Sequence, residues 1–260
     1  MVPCSQDVGF KLQPEALEKA ITDKTKWLIL NSPSNPTGAV YSRDELAALG
    51  EVLLKHPNVL IMTDDIYEHI IFDGLGFHTI AQVVPGLKSR TLTINGVSKA
   101  YAMTGWRIGY AGGPRQLIEG MAMLQSQSTS NPCSISQAAT VAALEGPQEF
   151  LAERSAEFQR RRDFALQAVR KIDGLTCESP EGAFYLYPNC EALIGKSTHE
   201  GRVIATDHDL TLYLLDEAKV AAVQGEAYGL SPHLRISIAT SMAKLSEALS
   251  RIENAIGKLR

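Results

Sequence analysis

The chain has 260 residues, 45% of them hydrophobic and 21% charged, the composition of an ordinary globular protein with room for one large domain or two modest ones. Its formal net charge of −4 gives no basic footprint for a nucleic acid partner. No apolar run approaches the roughly 18–20 residues of a membrane span, and six scattered histidines and four scattered cysteines show no metal-ligand spacing.

The opening MVPCSQDVGF lacks the basic-then-apolar layout of a signal peptide. With no C-x-x-C pair, free buried thiols in a reducing cytoplasm are expected. Residues 1–4 read as the end of a strand entered from upstream. Residues 27–31, WLILN, are a short apolar run suited to a strand buried on both faces. The following SPSNPTG contains two prolines and a glycine that no helix would hold. Ser42, with Asp44 and Glu45 behind it, reads as the N-cap of a helix running to residue 55. NVLIMT at 58–63 is the next buried strand and ends on Asp64-Asp65-Ile66-Tyr67, with further strands near 91–95 and 108–112. Strand, helix, strand with continuous apolar strands predicts an α/β fold with a mostly parallel sheet.

Beyond Pro114 the pattern turns helical. Helices are predicted at 116–127 and 134–144, then a long one at 147–172 with Pro147 in its first turn. The charge-dense EFQRRRD in its middle reads as a solvated face. Strands at 182–188 and 234–239, with helices at 207–218 and 242–259, describe a smaller α+β lobe. The expected division is a partial large domain at 1–146, a connecting helix at 147–172 and a small C-terminal domain at 173–260.

Ligands of open α/β sheets gather outside the carboxyl ends of the strands. Asn35 follows the first such run, Asp64 and Tyr67 the second, and Lys99 the third; Arg107 enters the next. Each has a plainer reading when taken alone. Lys99 could be a solvated surface charge, Asp64 and Asn35 turn residues, Tyr67 a core aromatic, and Arg107 and Arg235 surface or ion-pair arginines. Together they meet the needs of pyridoxal 5′-phosphate one by one. Lys99 would form the Schiff base with its aldehyde and later move a proton. Asp64 would pair with the pyridine nitrogen, and Tyr67 and Asn35 would donate to the ring's phenolate oxygen. Arg107 would hold phosphate with two prongs, and Arg235 a substrate α-carboxylate in the same way.

NSPSNPTG at 31–38, TDDIYEH at 63–69, NGVSKAYAMTGWRIGYAGGP at 95–114 and RISIATS at 235–241 resemble the class I pyridoxal-phosphate aminotransferases. The wording is nearest to the bacterial aspartate aminotransferase branch that includes aspartate/prephenate enzymes. The likeness extends over essentially the whole chain, through QSQSTSNPCSISQAA and GAFYLYP. It implies the type I fold of pyridoxal-phosphate transferases, with a large, mostly parallel domain, a smaller C-terminal one, and a homodimer. It implies Lys99 as the Schiff-base lysine, Asp64 as the pyridinium partner, Tyr67 and Asn35 as phenolate contacts, Arg107 as a phosphate ligand and Arg235 as the α-carboxylate ligand. Asn35 would also lie near substrate. Members of the family carry further residues ahead of the point matching Met1, so an N-terminally truncated form is expected. The expected reaction is ping-pong transfer of an amino group, aspartate favoured, to a 2-oxo acid such as 2-oxoglutarate. The alternatives are a lyase or decarboxylase on the same fold, or an inactive, cofactor-binding remnant.

Overall fold

The computed structural model describes residues 2–260. Met1 lies outside the described residues. Residues 2–4 are not in a strand, so the strand expected at 1–4 is not formed over its described part. Proline at the first helical position opens α1 (Pro14–Ala20), a short helix whose seven residues carry too little periodicity to be read in sequence.

A four-stranded sheet forms the first layer: β1 (Trp27–Asn31), β2 (Leu60–Asp64), β3 (Thr91–Gly96) and β4 (Gly109–Gly112), in that spatial order. The first three are parallel and β4 runs antiparallel to β3. The α/β fold with a mostly parallel sheet is therefore as expected. WLILN is not buried on both faces, however. Leu30 packs inward, but β1 is the outermost strand and Ile29 is 65% exposed. Between β1 and β2 runs α2 (Arg43–Leu54), started by the expected capping box: Ser42 Oγ accepts from the Glu45 amide at 3.2 Å and Glu45 Oε2 from the Ser42 amide at 2.7 Å. Leu46, Leu49, Val52 and Leu53 recur at helical spacing and pack on Leu30, Val59 and Ile61. A single turn, α3 (Ile80–Val83), precedes β3.

Two helices, α4 (Arg115–Ser128) and α5 (Ser134–Glu145), lie where expected. The long helix, α6 (Phe150–Val169), starts three residues after Pro147. Gln148 explains the delay, because its side-chain amide donates to the carbonyls of Ala143 and Gly146 and so closes the end of α5 instead of entering α6. The EFQRRRD segment is not uniformly solvated either. Arg162 within it is buried, with its guanidinium paired to Asp73. The four cysteines are free. Cys177 and Cys190 are buried, and burial pushes both thiols up to about 12; Cys133, at the N-cap of α5, is exposed, against expectation.

A second sheet contains β5 (Tyr185–Leu186), with α7 (Asp207–Ala218) followed by β6 (Val223–Gln224) and β7 (Leu234–Ser237), in spatial order β5-β7-β6 and antiparallel. The strand expected at 182–188 shrinks to two residues because Ala183 takes a left-handed conformation and Pro188 has no amide to donate. The chain's last helix, α8 (Met242–Ile256), packs Leu245, Leu249 and Ile252 with Leu166, Val169, Leu186, Leu214 and Ile236 into the core of this lobe.

Candidate active site

The sheet register brings the carboxyl ends of the parallel strands level. Asn31 pairs with Asp64, and Asp64 with Ile94 two residues before the end of β3. Asn31 locks this edge with one side chain: its amide donates to the Asp64 carbonyl at 2.8 Å and its Oδ1 accepts from the Asn35 amide at 2.7 Å. The 32–39 turn is fixed by the Ser34 amide donating to Ala39 O at 2.9 Å and the Gly38 amide to Ser34 O at 2.8 Å. Gly38 must be glycine, since its φ is +72° and a Cβ there would sit 2.5 Å from Pro180 Cβ and 2.7 Å from the Gly182 carbonyl. Its own carbonyl accepts from the amides of Glu181 and Gly182, joining this turn to the segment leading into β5.

Past β2 the chain turns tightly. The Asp64 carboxylate accepts from the Ile66 amide at 3.3 Å, and the Asp65 amide donates to Ile94 O at 2.9 Å. Asp65 points into the protein, accepts from the Thr63 hydroxyl, and has its pKa raised to about 6 by burial. The two aspartates thus take opposite directions, and Asp64 is the one at the rim. Tyr67 is buried, which pushes its hydroxyl well above the ordinary phenol range. Its neighbours include Tyr185, which hydrogen-bonds it at 2.9 Å, and the charges of Asp64 and Arg235.

Lys99 lies in the turn after β3, closed by hydrogen bonds from the Ala102 amide to Lys99 O, the Met103 amide to Val97 O and the Thr104 hydroxyl to Ser98 O. From α6, Arg154 donates to the Ala100 carbonyl at 2.8 Å and braces the turn. Two non-glycine residues in it, Ala102 and Arg107, have φ of 53° and 56°, a conformation that costs roughly 1–2 kcal/mol each. Such strain, held by surrounding structure, gathers at functional sites. Lys99 Nζ lies 5.6 Å from the centroid of the Tyr67 ring and 5.7 Å from that of Phe184. Among the described residues it forms no ion pair.

Arg235, on β7, reaches the same place from the second sheet. One guanidinium nitrogen donates to Asn35 Oδ1 at 2.9 Å, and Cζ lies 4.6 Å from the Tyr185 ring centroid and 5.3 Å from that of Tyr228. Its Nε is buried and has no hydrogen-bond partner among the described residues. Lys99, Tyr67, Asp64, Asn35 and Arg235 are thus linked by direct contacts or close charges. Arg107 belongs to the same closed turn as Lys99, with its guanidinium donating to Thr104 O at 3.1 Å, and among the described residues no hydrogen bond or ion pair joins it to the others. Tyr185, Phe184 and Tyr228 were not singled out in sequence. The clustered aromatics of GAFYLYP were the available signal, but such a cluster equally describes a core strand.

Among the described residues, no helix is long and apolar enough to cross a membrane, and no group of three or more potential metal-ligating side chains comes together.

The family model Aminotransferase class I and II matches residues 1–252. Aspartate aminotransferase of Rhizobium meliloti strain 1021 is 59% identical over 259 residues, covering 100% of this chain and 63% of the relative. The aspartate/prephenate aminotransferase of Cereibacter sphaeroides is 58% identical over 252 residues, covering 97% of this chain and 63% of the relative. The crystal structure of the Rhizobium meliloti aspartate aminotransferase superposes with a TM-score of 0.95 at 59% identity, over 99% of this chain and 64% of that one. An aromatic aminotransferase from Pyrococcus horikoshii gives 0.87 at 35% identity, over 98% and 66%. The chain therefore spans about 63% of the length of these curated relatives. On the family match and these identities together, the chain belongs to the class I and II aminotransferases.

Proposed function

We propose that the chain provides the lysine, the ring contacts and the α-carboxylate reader of a pyridoxal 5′-phosphate aminotransferase. The reaction is ping-pong transfer of an amino group from an amino acid, aspartate favoured, to a 2-oxo acid such as 2-oxoglutarate. One observation carries the reading. An amine from the turn after β3, a carboxylate and a tyrosine hydroxyl from the end of β2 and the turn past it, and a guanidinium from β7 of the second sheet come together in one place. The naming of the relatives as aspartate and aspartate/prephenate aminotransferases favours transfer over the lyase and decarboxylase readings.

The residues present fit the cofactor. The Lys99 side-chain nitrogen faces the Tyr67 and Phe184 rings and meets no carboxylate in an ion pair among the described residues. Asp64 stands at the strand end for a pyridine nitrogen, and the buried Arg235 Nε keeps an unused donor for a carboxylate. Pyridoxal 5′-phosphate, when bound, supplies an aldehyde for amine exchange and a ring that accepts the electrons released at the substrate α-carbon. Lys99 would anchor that aldehyde and would, as a free amine, carry the proton between the reacting carbons. Tyr67 and Asn35 would donate to the ring oxygen, and Arg107 would hold the phosphate from the turn that carries Lys99. Arg235 would clamp the α-carboxylate, with its planar fork already oriented by two tyrosine rings and Asn35.

The division into a partial large domain (1–146), a connecting helix (147–172) and a small domain (173–260) is part of the proposal, supported by a C-terminal core that draws on α6, β5, β7, α7 and α8. A homodimer in the cytoplasm is proposed on the resemblance. The test is Lys99→Ala. The wild-type chain loaded with the cofactor is expected to show the visible absorbance of a lysine-bound aldehyde and to form oxaloacetate from aspartate. The variant should lose both; a band unchanged in the variant refutes the assignment.

A further inference from the structure

We infer that Tyr185 is a positioning residue, its hydroxyl fixing the direction in which Tyr67 donates and its ring seating the Arg235 guanidinium. The inference rests on the roles given above to Tyr67 and Arg235. Tyr185 is the residue that touches both: its hydroxyl is 2.9 Å from that of Tyr67 and its ring centroid 4.6 Å from Arg235 Cζ. It is 6% exposed and comes from β5, paired with β7 through Tyr185–Ser237 and Leu186–Ile236, so its backbone is held by the strand that carries Arg235.

Two hydroxyls that share one hydrogen bond leave one proton free. If Tyr67 donated to Tyr185, its only proton would be committed away from the site. With Tyr185 donating, the Tyr67 O–H is left for an acceptor in the site and is strengthened as a donor by the bond it receives. The charges facing Tyr67 are Asp64 at the strand end, Lys99 over its ring and Arg235 beyond Tyr185. The Tyr185 ring also packs against the guanidinium, which lies over the Tyr228 ring as well, 5.3 Å from its centroid. A cation packed against two aromatic rings loses water and freedom of rotation, while its planar fork keeps a fixed heading. One donor in that fork already goes to Asn35, and the buried Nε is free of partners among the described residues. The hydroxyl and the ring of Tyr185 therefore have separable tasks.

Tyr185→Phe removes the hydroxyl and keeps the ring; Tyr185→Leu removes both. In the cofactor-loaded 260-residue chain, the Phe variant is expected to raise the pH at which the visible absorbance titrates by about half a unit, with the amino acid KM within about two-fold of wild type. The Leu variant should show the same shift and raise that KM about five-fold. The inference is overturned if the Phe variant leaves the titration unmoved, or if it raises KM as much as the Leu variant does. NMR of the cofactor-free chain gives an independent arm. The Arg235 Nε–H resonance, assigned by its loss in Arg235→Lys, should hold a ring-shifted position in wild type and the Phe variant and leave it in the Leu variant. A slowly exchanging tyrosine hydroxyl proton should vanish in the Phe variant. If neither resonance responds in this way, the role of Tyr185 is refuted whatever the cofactor does. If both respond while the wild type takes up no cofactor, the proposed function fails and the positioning role stands.

Discussion

Replacing Arg162 by methionine should destabilise the chain by about 3 kcal/mol. The guanidinium is 3% exposed and sits 5.0 Å from the Phe72 ring centroid. It makes a two-pronged pair with Asp73 at 2.7 and 2.8 Å and donates to Pro180 O at 2.8 Å, to Ser179 Oγ at 3.1 Å and to Asp163 at 2.6 Å. Removing one partner of a buried pair costs about 3–5 kcal/mol, chiefly because the other charge is stranded. Asp73 is 49% exposed and regains water when Arg162 goes, which places the cost at the lower end. Methionine keeps the contact with Phe72, so lost packing adds little. Asp73→Asn leaves a half-exposed neutral acceptor and should cost about 1 kcal/mol. The measurement is urea unfolding followed by tryptophan fluorescence, with an unchanged slope required of each variant. The pH dependence gives a second check. The hydrogen bonds from Arg162 hold the Asp73 carboxyl below its ordinary range. The stability this adds is present above the unfolded carboxylate pKa and is lost as pH falls through the depressed folded value. That acid-side loss should be missing in Arg162→Met. A midpoint equal to wild type, or an acid-side slope that the substitution leaves undiminished, would refute the reasoning.

Three further outcomes follow from the same geometry. Asp65 has a folded pKa raised to about 6, so its contribution to stability is full below the unfolded value and is lost as pH rises through the folded one; Asp65→Asn should remove a loss of up to about 3 kcal/mol between roughly pH 4 and 6, read as the difference between the two stability–pH curves. Gly38→Ala meets both a left-handed backbone and a Cβ 2.5 Å from Pro180, and should cost about 3 kcal/mol in the same urea assay; a loss under 1 kcal/mol would mean that the close approach relaxes freely. Arg235→Ala should raise the KM for amino acids by about 100-fold through loss of a two-pronged ionic contact, while the visible absorbance of bound cofactor is kept; loss of that absorbance would place Arg235 elsewhere in the mechanism.

The parts of the site legible in sequence are those that sit where strands stop. WLILN, NVLIMT and TLTIN are apolar runs with abrupt polar ends, and an end of that kind is both a fold signal and a place for chemistry, so Asn35, Asp64, Tyr67 and Lys99 could be found together. Arg235 could be named as a carboxylate clamp by its chemistry, but no strand end placed it beside the others, because it is brought in by a second sheet some two hundred residues away from Asn35. Tyr185 was not legible, since an aromatic in a strand fits a core equally well and its meaning depends on which hydroxyl it meets. Arg162 was misread for a related reason. Three consecutive arginines on a helix look solvated, but the helical turn separates them, leaving Arg160 outside and placing Arg162 against Phe72 and Asp73. The exposure of Ile29 is a property of what lies beside β1, which the run WLILN does not encode.

The segment from Ser179 to Tyr185 joins these observations. Its Pro180 carbonyl is held by Arg162, its Glu181 and Gly182 amides hold the Gly38 carbonyl, and Gly182 bridges to Ile71. Tyr185, at its end, meets Tyr67 from the first sheet and Arg235 from the second. The residues proposed to hold the ring therefore belong mostly to the parallel sheet, while the residue proposed to read the α-carboxylate belongs to the other lobe. Together with the direct bond from Arg235 to Asn35, the seating of this segment helps to set their separation. A fault in its seating is therefore expected to shift Tyr185, and with it Arg235, relative to Lys99. Arg162→Met is accordingly expected to raise the amino acid KM under conditions where the chain is still fully folded, because the arginine that holds the Pro180 carbonyl also seats the segment that ends on Tyr185.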